Sequence, residues 1–197
     1  MGLGGRRGPW LLGRLMDAAD DFEHDRDRSA ASKLREVRDA LPDAPSVREL
    51  LGLTQYRLGN YRSAAKELEA FFELTGSVDQ HPVLMDCYRA QHRWARVDQF
   101  WRELAETSPS AQLVTEGRIV EAGALADQGR VADAVVLLSK KAQSVKRPRE
   151  HHLRLWYALA DLEERAGDHA RARALFERIA AHDPDFADVA IRRRALR

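Results

Sequence analysis

The densest group of side chains able to do chemistry in this 197-residue chain lies between positions 140 and 152, where Lys140, Lys141, Lys146, Arg147 and Arg149 run into His151 and His152. Several cations on one edge raise the local concentration of anions, so the cluster reads as a patch for phosphate or an acidic peptide. It contains no Phe, Tyr or Trp on which a base could stack, so nucleic acid is possible but not favoured. Glu150 and Pro148 in the same stretch equally suit a solvated connector. His151 and His152 are adjacent, and neighbours on a helix diverge by about 100 degrees, a poor arrangement for sharing a metal ion. Cys87 is the single cysteine, which excludes an internal disulfide and any cysteine-built zinc site. No Gly-rich loop precedes a Lys-Ser/Thr pair, and no spacing joins a nucleophile to a base and an orienting acid. The expectation is a protein that is not an enzyme, with no catalytic residues, no metal site and no cofactor.

Composition narrows the class of partner. Hydrophobic residues make up 44% of the chain, enough for a sizeable core, while the 32% of charged residues nearly cancel to +1. No field from the whole molecule therefore points to nucleic acid or to a membrane. Ala, Leu, Arg and Glu dominate and no alternating apolar run is bounded by turns, so the chain reads as all-helical. The start, with Arg6 and Arg7, looks like an export signal only briefly, because the apolar run after it is broken at Arg14 and ended at Asp17. With no long apolar span either, the expectation is a cytoplasmic protein with no membrane partner. Lys is scarce among the 32 basic residues and Ala is abundant, usage that suggests a bacterial source.

The elements that must position these side chains are set by recurring punctuation: a turn with Gly or an equivalent, a bulky residue, then Ala and a large apolar residue at fixed distances. The fifth copy reads Gly167-Asp168-His169, Ala172, Phe176, Ile179 and Asp183-Pro184; the second reads Gly59-Asn60-Tyr61, Ala64, Leu68, Phe71 and Gly76. A fourth has Gly129, Ala134 and Leu138, a third has Trp94, Val97, Trp101 and Leu104, and a worn first has Asp25, Ala30, Leu34 and Val37. The units fall near 11–44, 45–78, 78–111, 115–148 and 153–186. Glycines end the first helix of a pair at least cost, and small residues such as Gly52 and Ala160 let helices approach.

With a repeat near ~34 residues, the chain resembles the tetratricopeptide repeat (TPR) family, whose pattern Trp156, Leu159, Ala160, Ala172, Phe176 and Pro184 match best, with Leu51-Gly52 and Ala64 next. The resemblance implies a right-handed superhelical solenoid of about five helix pairs over residues 11–186. Residues 1–10 would then be a flexible N-terminus, and 187–197 a capping helix with a basic tail. Asp17, Asp21 and Asp25 stand where Leu, Tyr and Gly would be expected, which predicts a poorly packed, polar first repeat.

In the family the first helix of each pair lines a concave groove. By resemblance the groove would comprise Glu49, Leu53, Tyr56, Arg57, Asp86, Arg89, Glu116, Asp127, Arg154, Tyr157, Asp161 and Arg165. Asn60 is the only Asn, so the Asn pair of the family's carboxylate clamp is missing. The implied function is a scaffold that holds a peptide or partner protein. The alternatives are an RNA-associated factor using the basic connector and the Arg192-Arg193-Arg194 tail, and self-association through an open solenoid end. Trp94 and Trp101 are assigned to core places of their repeat.

Overall fold

The structure, a computed structural model, describes residues 7–107 and 109–196. These form α1 (Arg7–Glu23), α2 (Asp27–Ala40), α3 (Pro45–Arg57), α4 (Tyr61–Thr75), α5 (His81–Ala90), α6 (Trp94–Thr107), α7 (Ala111–Asp127), α8 (Val131–Ser139), α9 (Glu150–Arg165), α10 (His169–Ala180) and α11 (Val189–Ala195). There is no strand among the described residues. Helix α1 takes in Arg7 to Trp10, part of the stretch read as a flexible N-terminus; residues 1–6 of that stretch and Arg197 of the basic tail lie outside the described residues.

One local device makes each helix pair. The second residue after each first helix has positive φ: Asp25 at 57°, Gly59 at 73°, His92 at 55°, Gly129 at 80° and Gly167 at 85°. Each following amide then reaches back over the turn, Arg26 N–H to the Asp21 carbonyl at 2.8 Å, Asn60 to Gln55 at 2.9 Å, Arg93 to Tyr88 at 2.9 Å, Arg130 to Leu125 at 2.9 Å and Asp168 to Glu163 at 2.8 Å. This is the Schellman closure, which satisfies carbonyls that the helix end would leave open. Asp168 then caps α10 by accepting from the Arg171 amide at 3.0 Å.

The chain divides into two compact units, residues 1–96 and 97–197. In the first, α1 packs on α2, α2 on α3, α3 on α4 and α4 on α5. Leu11, Ala18, Ala30, Ala31, Leu34, Val37, Val47 and Leu51 form one buried cluster here. The first pair is thus packed, against the expectation from its aspartates. Asp21 is buried and accepts from Lys33 Nζ at 2.5 Å and from Arg26 Nε at 2.6 Å, while Asp25 adopts the left-handed turn otherwise given to glycine. Buried Glu67 of α4 draws three helices together, accepting from Arg38 of α2 at 2.8 Å and from Arg48 of α3 at 2.5 Å.

In the second unit α7 packs on α8, α8 and α7 on α9, α9 on α10, and α10 on α11. Trp156, Ala160, Ala172, Phe176 and Ile179 are fully enclosed there, with Val189 of α11 buried beside them, so α11 covers the last pair. In α6 the core residues are Val97, Phe100 and Leu104. Trp94 and Trp101 are only half-buried, which corrects their assignment to the core: Phe100 and Leu104 take the inward face of α6, and Trp101 is left at its edge.

Candidate partner-binding face

The twelve residues read as groove positions all lie on first helices: Glu49, Leu53, Tyr56 and Arg57 on α3, Asp86 and Arg89 on α5, Glu116 and Asp127 on α7, and Arg154, Tyr157, Asp161 and Arg165 on α9. Most of them are tied to the neighbouring pair, a feature that pattern matching alone did not reveal. In the first unit the Tyr56 hydroxyl donates to Asp86 at 2.7 Å, and the other Asp86 oxygen accepts from Arg89 at 3.0 Å. Burial and the Asp86 charge push the Tyr56 phenol well above its ordinary pKa. Glu49 accepts from the Gln80 side chain at 2.8 Å. Arg57 reaches toward α1, donating to the Phe22 carbonyl at 2.8 Å and lying 3.6 Å from the Phe22 ring centre. Leu53 is half-buried among them.

The second unit repeats the device with other residues. Arg154 holds Glu116 by two bonds of 2.6 and 2.7 Å, and Arg165 lies 3.9 Å from Asp127. The Tyr157 hydroxyl donates to Asp188, next to α11, at 2.7 Å. Arg192 of α11 meets Asp161 at 3.0 Å and Glu164 at 2.8 Å, with its guanidinium 5.1 Å from the Phe176 ring centre. Arg192, read as part of a nucleic-acid-binding tail, is therefore engaged in seating α11. The rungs leave considerable surface open: the Arg154 and Arg165 side chains are 49% and 42% exposed.

The basic residues Lys140, Lys141, Lys146, Arg147 and Arg149 are all exposed, along the end of α8 and the connector into α9. His152 bends back so that its Nδ1 accepts from the Arg149 amide at 3.0 Å, and the His151 ring lies 4.0 Å from the His152 ring. Burial, then the neighbouring His152 and Arg149, lower the His151 pKa. Cys87 is fully buried and its thiol is pushed up to about 12, chiefly by burial and then by Asp86, so it is not poised as a nucleophile. Among the described residues no group of three or more His, Cys, Asp or Glu side chains could hold a metal, and no helix is long and apolar enough to cross a membrane.

Arg118 was missed by sequence reading. It occupies the place in its unit that Trp156 occupies in the last one, and an Arg standing where the repeat buries an indole is the signal that could have found it.

The closures and the stacked first helices define a helical-repeat protein, and residues 153–195 match the family model for the tetratricopeptide repeat. The fold of the chain is that of tetratricopeptide repeat proteins. It is similar to a thermophilic TPR protein from Thermus thermophilus at 17% identity and a TM-score of 0.68, over 94% of this chain and 98% of that one. A tetratricopeptide repeat protein from Parabacteroides merdae is similar at 14% identity and a TM-score of 0.69, over 94% of this chain and 70% of that one. Pseudomonas aeruginosa pilF is similar at 12% identity and a TM-score of 0.65, over 98% of this chain and 85% of that one. No curated protein sequence matches the chain. Folds of this kind serve in general as protein-interaction scaffolds.

Proposed function

We propose that the chain is a non-enzymatic adaptor that holds a peptide or partner-protein segment on the face of its first helices. The observation that supports this reading is a set of held guanidiniums: Arg154 and Arg165 are held across repeats by Glu116 and Asp127, and Arg89 within α5 by Asp86, while part of each stays open to solvent. A side chain fixed before binding loses less entropy when a partner engages it. The mixed sign of the rungs favours a partner carrying both charges. The single buried cysteine and the Arg-over-Lys usage support a reducing, bacterial cytoplasmic setting.

The test is the double variant Arg89→Ala with Arg165→Ala, compared with the unaltered chain for affinity toward each partner captured from native cell extract. An unchanged circular dichroism melt shows that the variant folds. A loss of about tenfold or more in partner affinity is expected; equal affinity for every recovered partner would falsify the reading.

A second reading, self-association, has its own support in the exposed Trp10, Leu12 and Met16 on α1. A sedimentation coefficient that does not change with protein concentration excludes it.

A further inference from the structure

A cavity of about 320 Å³ opens in the second unit, lined from α7, the segment after α8, and α9. It is lined by Thr115 and Arg118 of α7, Lys141 just beyond α8, and His151, His152 and Leu155 of α9, and no carboxylate lines it. Arg118 is the decisive side chain. It is half-buried against Trp101, 5.4 Å from the ring centre, and among the described residues it has no ion pair and no side-chain hydrogen bond. A guanidinium withdrawn from water without a counter-charge is unfavourable, and here burial alone lowers its pKa. The acid nearest it in sequence on α7, Glu116, is engaged with Arg154.

The other charged side chain of the lining has the same sign. Lys141 is exposed at the rim with no ion pair among the described residues. Because His152 Nδ1 accepts from the Arg149 amide, the ring proton of the neutral imidazole sits on Nε2, which makes it a donor. The first turns of α7 and α9 border the same space, adding the positive ends of two long helices to the two cations. We propose that this cavity binds a phosphate group, with Arg118 and Lys141 balancing its two negative charges and His152 donating to a third oxygen. A carboxylate has one charge and two oxygens for donors that arrive from three segments, so it fits less well.

The proposal is independent of the partner-binding face and is tested by calorimetric titration of the full chain at low salt with inorganic phosphate and with phosphoserine. Trp101 fluorescence serves as a second readout. Saturable one-to-one binding of either anion is expected, weakened at least tenfold in Arg118→Met and several-fold in Lys141→Ala, and unaltered in Arg173→Met on α10. Tighter binding of phosphoserine assigns the group to a modified partner, and tighter binding of inorganic phosphate to a free small molecule; either supports the site. Lys141 is exposed, so its variant stays informative even if Arg118→Met fails to fold. No saturable binding of either anion, a response to mixed RNA alone, or undiminished affinity in folded Arg118→Met and Lys141→Ala overturns it.

Discussion

Asp21 and Glu163 occupy the same register position in the first and last helix pairs, both carboxylates are buried, and their surroundings pull them in opposite directions. Hydrogen bonds from Lys33, Ser29 and Arg26 hold the Asp21 carboxyl well below the ordinary aspartate range. Its folded pKa lies below the unfolded value of about 3.9, so the stability it contributes is present above that value and lost as pH falls toward the folded one. Asp21→Asn should therefore lose stability at pH 6 and show a flatter decline between pH 4 and 2 than the unaltered chain. Urea midpoints across that range check this. Among the described residues Glu163 is paired with Arg171 alone, at 3.8 Å, and burial raises its pKa. Its favourable contribution is complete below the unfolded pKa and is lost as pH rises through the folded one. Glu163→Gln is expected to raise the melting temperature at pH 7 and leave it nearly unchanged at pH 4. A lower melting temperature at pH 7 would show that the Arg171 attraction outweighs the desolvation.

At the scale of elements, the closeness of the helices rests on a few small residues. A Cβ added at Gly52 would stand 2.6 Å from Leu68 Cδ2 and 2.7 Å from its Cγ, so α3 and α4 would have to part or Leu68 change rotamer. Gly52→Ala should cost about 1–3 kcal/mol, read from denaturant midpoints, despite the better helix propensity of Ala. The reverse change helps at Ala187, an exposed residue just before α11 whose φ of 47° is strained for a side chain. Ala187→Gly should gain about 0.5–1 kcal/mol.

The same elements show what could be read from residues alone. Gly59, Gly129 and Gly167 announced their turns because glycine is enriched at positive φ. Asp25 and His92 make the same turn without it, since the Schellman hydrogen bonds and the packed pair compensate their strain, so the first pair looked worn when it is packed. The residues of the partner-binding face were legible as positions on first helices. Their mutual engagement was not, because Tyr56 with Asp86 and Tyr157 with Asp188 are about one repeat apart, and no local pattern encodes such a pairing. Arg192 was misleading in the same way: in sequence it belongs to a basic run, and in space it answers Asp161 and Glu164.

For the molecule as a whole, a stack of helix pairs derives its stability from contacts between neighbours, and it displays one side chain after another along the first helices. That display, held by rungs, is the basis for assigning partner binding to this face. The phosphate cavity is lined by side chains other than those of the rungs, and its loss should leave the Arg154–Glu116 and Arg165–Asp127 pairs in place. The most direct measurement places a photo-crosslinking residue at Arg89 or Arg165 on the first helices, and in separate chains at the exposed Arg62 of α4 or the half-buried Arg173 of α10 on second helices. After irradiation in native cell extract, a discrete cross-linked partner is expected from Arg89 and Arg165 and is expected to be absent from Arg62 and Arg173. Cross-links of equal yield from all four positions, or from the second-helix positions alone, would contradict partner binding at this face.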